Sequence, residues 1–451
     1  MRRFIVSVAV ALCVISVSAQ VQVKPMPKSG YEQRIRNFIN GMKIVDTHEH
    51  LLDPAEFTDS MLDFTLMLRH YPGGDYHSAG MSWKEVGLLF EDSLSIPEKW
   101  KLLQPYWDLS FNTGFNRVAQ LAANKLFNVE DINTQTVGVL SERLKKAYQQ
   151  PDWYDQVLRG MCNIDFLIQD CSFEDWDNRF KGDPEMYRYV RRFDNFIFIQ
   201  SSARIQELGK WKPEGIRTVD DLVSALEASF NSALKDGIIA VKSLLAYNRI
   251  LAYDNVKKEE AEYAFSKIVN APGDKPLPFA EVKPLQDYMM HRVLDLARTH
   301  HLPVQMHTGL NGAMIENANP THLTNLFKEY PDVPFILFHG SYPFLGQLSV
   351  LAKCFSNVYI DMCWVYIISP SYAERALQEW LETVPAGKIM AFGGDFLYVE
   401  DVYGHMLMAR ETVANVLVDK VKSGYFSENE AIRIARMLLH DNAVRIFNLK
   451  K

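Results

Sequence analysis

The sequence contains no block of like charges, no long apolar run beyond its first residues and only five cysteines among 451 residues. Its 48 lysines and arginines nearly balance 55 aspartates and glutamates, which gives a formal net charge of −7. Because there is no basic patch, nothing in the chain indicates a nucleic-acid surface. The composition, 48% hydrophobic and 23% charged, is that of a globular protein with one large domain or two or three small ones.

Residues 1–19 have the pattern of a cleavable signal peptide. Arginines near the start precede an apolar run over residues 4–17, and small residues precede Gln20. This run is short for a membrane-spanning helix, and no later stretch is apolar enough to be one. We therefore expect export, to the periplasm or outside the cell, of a mature chain of residues 20–451 without stable membrane insertion.

Disulfide bonds between neighbouring cysteines are not expected in the mature chain. Cys162 and Cys171 bracket one predicted strand, and Cys354 and Cys363 bracket another. Nine extended residues span roughly 30 Å, whereas a disulfide needs Cα atoms within roughly 7 Å of each other. A disulfide that joins one pair to the other stays an alternative, and buried free thiols are the simpler expectation.

Apolar runs with the character of buried strands alternate with helical patterns. Such alternation predicts a parallel sheet covered by helices. Eight runs favour a closed (β/α)8 barrel of the TIM type over an open doubly wound sheet, and no glycine-rich nucleotide turn follows the first run. The predicted strands are 43–51, 163–169, 195–201, 237–243, 303–308, 333–340, 357–363 and 388–396.

Residues 52–150 interrupt the alternation with a long segment rich in aromatic residues. We interpret this segment as a mostly helical insertion after the first strand. The loops at the carboxyl ends of the strands build the active site in such barrels, so the insertion is expected to form a lid over that end. Most of its aromatic residues are expected to form the core of the insertion itself.

Polar residues occupy the ends of several predicted strands. In the stretch VDTHEH, two histidines stand two positions apart, so both side chains point to the same face of the strand. A single polar residue at a strand end ordinarily has no catalytic role. Here, five strands of one barrel would place their polar end residues around the same mouth. Imidazole and carboxylate together suit zinc, manganese or iron. The candidate ligands are His48, His50, Lys242, His307, His339 and Asp395.

These motifs resemble the amidohydrolase superfamily of metal-dependent barrels. The likeness extends from about residue 235 to the end and over 43–51, and is thin across 52–230. Within the superfamily the chain is most similar to the amidohydrolase-2 group, and there to the amidohydrolase half of nodulin/glutamine-synthetase-like proteins. The stretches that carry the resemblance are GIIAVKSLLAYNR, LPVQMHTG, NPTHLTNLF, FILFHGSYPF, VYIDM and DNAVRIFNL.

The resemblance implies one or two divalent metals per chain, with zinc the first choice and manganese or iron as alternatives. Its first site would use His48, His50, His307 and Asp395. His339 would then bind a second metal or act as a catalytic acid and electrophile. Lys242 matches the position of a lysine that, in members with two metals, is carboxylated and bridges them.

Hydrolysis of an amide or related bond is the leading functional hypothesis. A bound metal lowers the pKa of its water, and Asp395 would accept the proton of that water and pass it to the leaving group. Tyr247, Arg249 and Arg117 are candidates to hold a carboxylate of a small-molecule substrate. The sequence is compatible with a homo-oligomer but does not define the oligomeric state.

Two other functions remain open. The same barrel resembles uronate isomerases and decarboxylases, which use one metal to hold a hydroxy acid or carboxylate. A secreted binding protein with a structural metal is the third reading. Structural sites tend to be closed by protein ligands, and a cluster at a barrel mouth under an insertion fits that poorly.

Overall fold

Eight parallel strands form one sheet in chain order, from β1 to β8. The computed structural model of this protein describes residues 30–450, apart from 59, 172–179, 272, 274 and 313. The sheet closes because backbone N–H groups of β1 and the segment after β8 bond to each other's carbonyls, as from Asp395 to His48 at 2.8 Å. This confirms the predicted (β/α)8 barrel. The strands are β1 Ile44–Glu49, β2 Ile164–Cys171, β3 Tyr187–Arg192, β4 Ile238–Ser243, β5 Val304–Met306, β6 Phe335–Leu337, β7 Val358–Asp361 and β8 Ile389–Met390.

Helices surround the barrel and fill the segment between β1 and β2. The first helix precedes β1, six lie between β1 and β2, and the others follow the later strands. They are α1 Gly30–Gly41, α2 Pro72–Ser78, α3 Trp83–Leu88, α4 Ile96–Ser110, α5 Gly114–Phe127, α6 Val137–Tyr148, α7 Trp153–Asp155, α8 Asp194–Ile197, α9 Ser202–Leu208, α10 Val219–Lys235, α11 Lys258–Asn270, α12 Phe279–Thr299, α13 Thr324–Glu329, α14 Leu345–Cys354, α15 Val365–Ile368, α16 Pro370–Thr383, α17 Val399–Lys422, α18 Glu428–Arg436 and α19 Asn442–Ile446.

The third strand lies elsewhere than predicted. The apolar run 195–201 is helix α8 and the loop after it, whereas β3 carries three arginines. Contacts of two arginines explain how a charged segment enters the sheet. The guanidinium of Arg191 lies 5.5 Å and 5.3 Å from the rings of Phe193 and Trp211, and Arg192 pairs with Asp170 at the end of β2. Because Trp211 and Asp170 are distant from this strand in the sequence, local hydrophobicity indicated the wrong segment.

The insertion between β1 and β2 packs against the barrel near β8. The indole N–H of Trp153 donates to Glu400 of α17 at 2.8 Å, and the hydroxyl of Tyr148 donates to the same carboxylate at 3.1 Å. Tyr71 donates to the backbone oxygen of Asp395 at 2.7 Å. Trp100 is buried among the insertion's own helices, as expected for most of its aromatic residues.

Side-chain caps are present at the starts of α18 and of the turn before α13. The Asn319 side chain accepts a hydrogen bond from the N–H of Thr321 at the start of the turn that leads into α13. Ser427 and Glu430 form a reciprocal capping box at the start of α18. Each cap satisfies backbone N–H groups that the first helical turn leaves without partners.

None of the four cysteines in the described region is in a disulfide bond; Cys162, Cys171 and Cys363 are buried, and Cys354 is exposed. The predicted signal peptide, residues 1–19, lies outside the described residues. Within the described part of the chain, every helix is too short or too polar to traverse a bilayer.

Candidate active site

Barrel closure brings His48, His50 and Asp395 together at the carboxyl ends of β1 and β8. The Nε2 atoms of the two histidines are 3.2 Å apart. Asp395 Oδ1 lies 3.0 Å from His50 Nε2 and 3.6 Å from His48 Nε2. Ligand atoms bound tetrahedrally to one zinc ion at usual bond lengths lie roughly 3.3 Å apart, so these three donors have the spacing that a single cation requires.

The charges of this triad suit a cation. Burial, together with the nearby charge of Lys242, holds the pKa of His48 well below its usual range, so its imidazole is neutral and keeps a lone pair. Burial of Asp395 opposes ionisation, but the hydrogen bond with His50 and the nearby histidines outweigh it and hold the Asp395 pKa well below its usual range. Asp395 therefore offers an anionic oxygen and His48 a neutral nitrogen donor.

Two buried acids of β1 and a glycine fix the position of the Asp395 loop. Asp46 accepts hydrogen bonds from the N–H groups of His48 at 3.2 Å and Gly394 at 3.1 Å. Glu49 accepts one from Phe396 at 2.7 Å. A Cβ atom at Gly394 would lie 1.7 Å from Glu49 Oε1, so only glycine allows this close approach.

His307 and His339 form a second pair beside the triad. His339 Nε2 lies 2.9 Å from His307 Nδ1, and His307 Nε2 lies 2.9 Å from the carbonyl oxygen of Leu310. His339 Nδ1 is 3.9 Å from Asp395 Oδ2. The structure therefore places His307 against His339 and not in the group formed by His48, His50 and Asp395.

Lys242 is buried near the end of β4. Its Nζ atom sits 3.5 Å from the centre of the Phe338 ring and has no hydrogen-bond partner among the residues that the structure describes. Burial lowers the Lys242 pKa to about 8, although the charges of Asp170 and Asp395 act in the opposite direction. The unmodified side chain is thus held by a cation–π contact.

The three candidate substrate residues lie in different surroundings. Tyr247 is 46% exposed, and its ring centre is 4.5 Å from that of His307, so it lies at the barrel mouth. Arg249 is buried, and its guanidinium is bound by Asp287 at 2.6 Å and by other groups away from the ligand cluster. Arg117 is exposed on α5. The structure therefore brings Tyr247 to the site but neither arginine.

A carboxylate and an arginine that the sequence reasoning missed lie beside the triad. Asp170, at the end of β2, is 3.7 Å from His48 Nε2. The Nε and Nη2 groups of Arg192, at the end of β3, donate to Asp170 at 2.7–3.0 Å. Arg192 could have been found only by placing β3 correctly, because its strand is not apolar.

Aromatic residues from the insertion and from the β7 loop cover the site. Tyr71 stacks on His70 with ring centres 3.8 Å apart, and it packs against Trp364 at 4.6 Å. The ring of Trp364 is 5.0 Å from that of His339. Burial lowers the pKa of His70 to about 4, with Asp395 acting the other way. His70 therefore lies in the site region, against Tyr71 and Phe396.

Comparison with known proteins gives two partial sequence matches. A family model described as Amidohydrolase matches residues 259–449. "Protein fluG" of Emericella nidulans is 28% identical over an alignment of 237 residues that covers 49% of this chain. The match spans 27% of the length of that curated relative. It does not establish the closer resemblance to nodulin/glutamine-synthetase-like proteins, which stays a prediction.

Solved structures share the fold over almost the whole chain. Uronate isomerase from Thermotoga maritima has a TM-score of 0.74 at 17% identity and covers 93% of this chain and 98% of its own. Glucuronate isomerase from Caulobacter crescentus has a TM-score of 0.75 at 15% identity, over 93% and 94%. At these identities the similarity shows a common fold, which here includes the insertion region.

Proposed function

We propose that this protein is a metal-dependent isomerase of small sugar acids. One observation carries the proposal: His48, His50 and Asp395 present donors at 3.0–3.6 Å from one another at the carboxyl end of the barrel. Zinc is the first metal to test, followed by manganese and iron. We propose with it a domain organisation of a single barrel, in which residues 52–150 form the lid.

One finding favours isomerisation over hydrolysis. The solved structures that share the fold over 93% of the chain or more include uronate and glucuronate isomerases. Hydrolysis of an amide remains the second candidate, because the Amidohydrolase model matches residues 259–449.

Substrate binding is assigned to the mouth of the barrel. The pairing of Arg192 with Asp170 uses the Nε and Nη2 groups of the guanidinium, which leaves Nη1 to meet a substrate carboxylate. Tyr247, at the rim, can donate to a sugar hydroxyl. The aromatic cover of Tyr71 and Trp364 excludes water from the reacting carbons.

An aldose–ketose isomerisation moves one proton between neighbouring carbons and one between their oxygens, and it consumes no water. A divalent cation, when bound, supplies Lewis-acid polarisation of the carbonyl oxygen. Burial lowers the pKa of His339 to about 4, so the ring is neutral, and with one cation bound its Nδ1 lone pair can accept a proton. Tyr71 keeps its proton, because burial raises its pKa well above the usual value, and its hydroxyl donates to the backbone oxygen of Asp395, which holds the aromatic cover against the site.

The test is turnover of zinc-loaded protein on two panels, aldouronates in one and dipeptides and N-acyl amino acids in the other. We expect ketose formation with solvent deuterium entering the product, loss of turnover with a chelator, and loss in Asp395→Asn. Arg192→Met should raise KM, whereas the exposed Arg117→Met serves as the matched arginine control. Amide cleavage without isomerisation would replace the proposal by hydrolysis.

A further inference from the structure

The two oxygens of Asp395 face different sets of donors. Oδ1 lies toward His48 and His50, at 3.6 Å and 3.0 Å. Oδ2 is the atom nearest His339, 3.9 Å from its Nδ1. The carboxylate can therefore bind on both sides, with one oxygen on each.

The His307–His339 pair makes three contacts that each require an N–H proton, but two neutral imidazole rings supply only two such protons. Three contacts need a proton: His307 Nε2 to Leu310 O at 2.9 Å, His307 Nδ1 to His339 Nε2 at 2.9 Å, and His339 Nδ1 to Cys363 O at 3.1 Å. Two neutral imidazoles carry only two N–H protons. The longest contact, at His339 Nδ1, is the one that can best lack its proton.

In that tautomer the lone pair of His339 Nδ1 faces the carbonyl of Cys363 without a proton between them. His307 then accepts from His339 Nε2–H, which orients the ring as partners of metal-bound histidines commonly do. A cation next to Nδ1 would use the lone pair.

The thiol of Cys363 lies in the same small space. One ligand atom each from His339, Cys363 and Asp395 lies within 4.8 Å of the others, and all three residues are buried. Room for the thiol comes from Gly393, where a Cβ atom would lie 2.9 Å from Cys363 Cβ and 3.0 Å from its sulfur. Small side-chain rotations would bring the three donors to bonding distance of one ion.

We propose that His339, Cys363 and Asp395 form a second cation site for a thiophilic divalent metal, with Asp395 bridging it to the first. A thiolate ligand selects zinc or cadmium over magnesium or calcium. On binding, the S–H bond of Cys363 breaks, the sulfur–metal bond forms and the proton passes to solvent. The inference rests on the proposed function in one respect, the shared carboxylate of Asp395.

Cadmium titration of the metal-free protein tests this site, because cadmium bound by a thiolate absorbs in the ultraviolet by charge transfer. We expect two cadmium ions per chain by elemental analysis, and the absorption band with the second. Cys363→Ser and Cys363→Ala should each bind one ion and lose the band. Cys354→Ser, a change at the exposed free cysteine, is the matched control and should keep both.

Other variants separate this inference from its alternatives. Lys242→Met should keep two ions and the band; loss of the second ion in that variant would assign the site to a modified lysine and overturn the inference. One ion without a band in the wild type would also overturn it. His50→Ala should lose the first ion and keep the band.

The outcomes also distinguish this inference from the proposed function. A band that depends on Cys363, in a protein that turns over no uronate, would support the second site and refute the isomerase. Uronate turnover by a protein that binds a single ion and shows no band would support the isomerase and refute the second site. A wild-type protein that binds no cadmium would refute the second site, and failure to bind zinc as well would refute the isomerase.

Discussion

Replacing Arg249 by methionine tests whether this arginine supports the fold or holds a substrate. Its guanidinium contacts Asp287 at 2.6 Å, Gln286 at 3.0 Å and the carbonyl of Ala252 at 2.9 Å. Both members of the ion pair have fully buried side chains. Methionine would occupy a similar volume, but it would leave the Asp287 carboxylate buried with fewer partners.

The expected loss follows from what remains around Asp287. Removing one partner of a buried ion pair costs about 3–5 kcal/mol, because the other charge stays in a poorly solvated place. Lys283 and the N–H of Asp254 still contact the carboxylate. We therefore expect the lower end of that range, about 3 kcal/mol of unfolding free energy.

Urea unfolding followed by tryptophan fluorescence measures this loss as a shift in midpoint at constant slope. The exposed Arg117→Met is the matched control, and its stability should lie within about 0.5 kcal/mol of the wild type. Folded Arg249→Met should bind substrate normally. Wild-type stability combined with a raised KM would show that Arg249 binds substrate and refute the structural role.

Three further predictions concern the site and its surroundings. Lys242→Met should leave metal content unchanged and the thermal midpoint equal or higher, since the buried ammonium has no hydrogen-bond partner among the described residues; a lost metal ion would contradict this. Gly394→Ala should lower the free energy of unfolding by about 1–3 kcal/mol and reduce metal content, because the new Cβ would lie 1.7 Å from Glu49 Oε1 and displace Asp395. Wild-type stability and wild-type metal content would show that the loop can relax. Burial raises the pKa of Asp194 from 3.8 to about 6, so its contribution to stability is present below pH 3.8 and is lost as pH rises through about 6. Asp194→Asn should therefore flatten the dependence of unfolding free energy on pH between 3.8 and 6. An unchanged dependence would exclude Asp194 as the cause of this loss.

The barrel could be predicted because its strands are buried on both faces. Such strands are continuous apolar runs, and seven of the eight predicted runs overlap an observed strand. The exception, β3, is stabilised by contacts of its arginines with residues of other elements. Hydrophobic pattern is a local property and does not register Asp170 or Trp211 as partners of this strand.

The candidate site was accessible from the sequence only in part. Histidines at strand ends stand out, so His48 and His50 could be singled out and their common face deduced. Cys363 could not, because a cysteine after a strand is ordinarily a small buried residue. Its approach to Asp395 depends on barrel closure and on the absence of a side chain at Gly393.

Arg249 shows the opposite failure. It follows Lys242 by seven residues, and proximity in sequence suggested proximity to the metal. After β4 the chain passes through a short helical turn, Leu245–Tyr247, which leaves Tyr247 at the mouth and carries Arg249 into a buried network with α12. Sequence distance from a ligand therefore says little once the strand has ended.

The loops after β6, β7 and β8 each contain a non-glycine residue with a positive φ angle, which the sequence pattern did not predict. His339, Trp364 and Asp395 have φ angles of 63°, 66° and 63°, in the left-handed region that favours glycine. This conformation costs a non-glycine residue about 1–2 kcal/mol, and glycine loses about 0.5–1 kcal/mol more chain entropy on folding. Since both variants lack the carboxylate, the free energy of unfolding of Asp395→Gly should equal that of Asp395→Ala or exceed it by up to about 1.5 kcal/mol. Urea unfolding of the metal-free variants measures the difference. A more stable alanine variant would show that the loop abandons the left-handed conformation once the side chain is gone, and that the ligand itself maintains it.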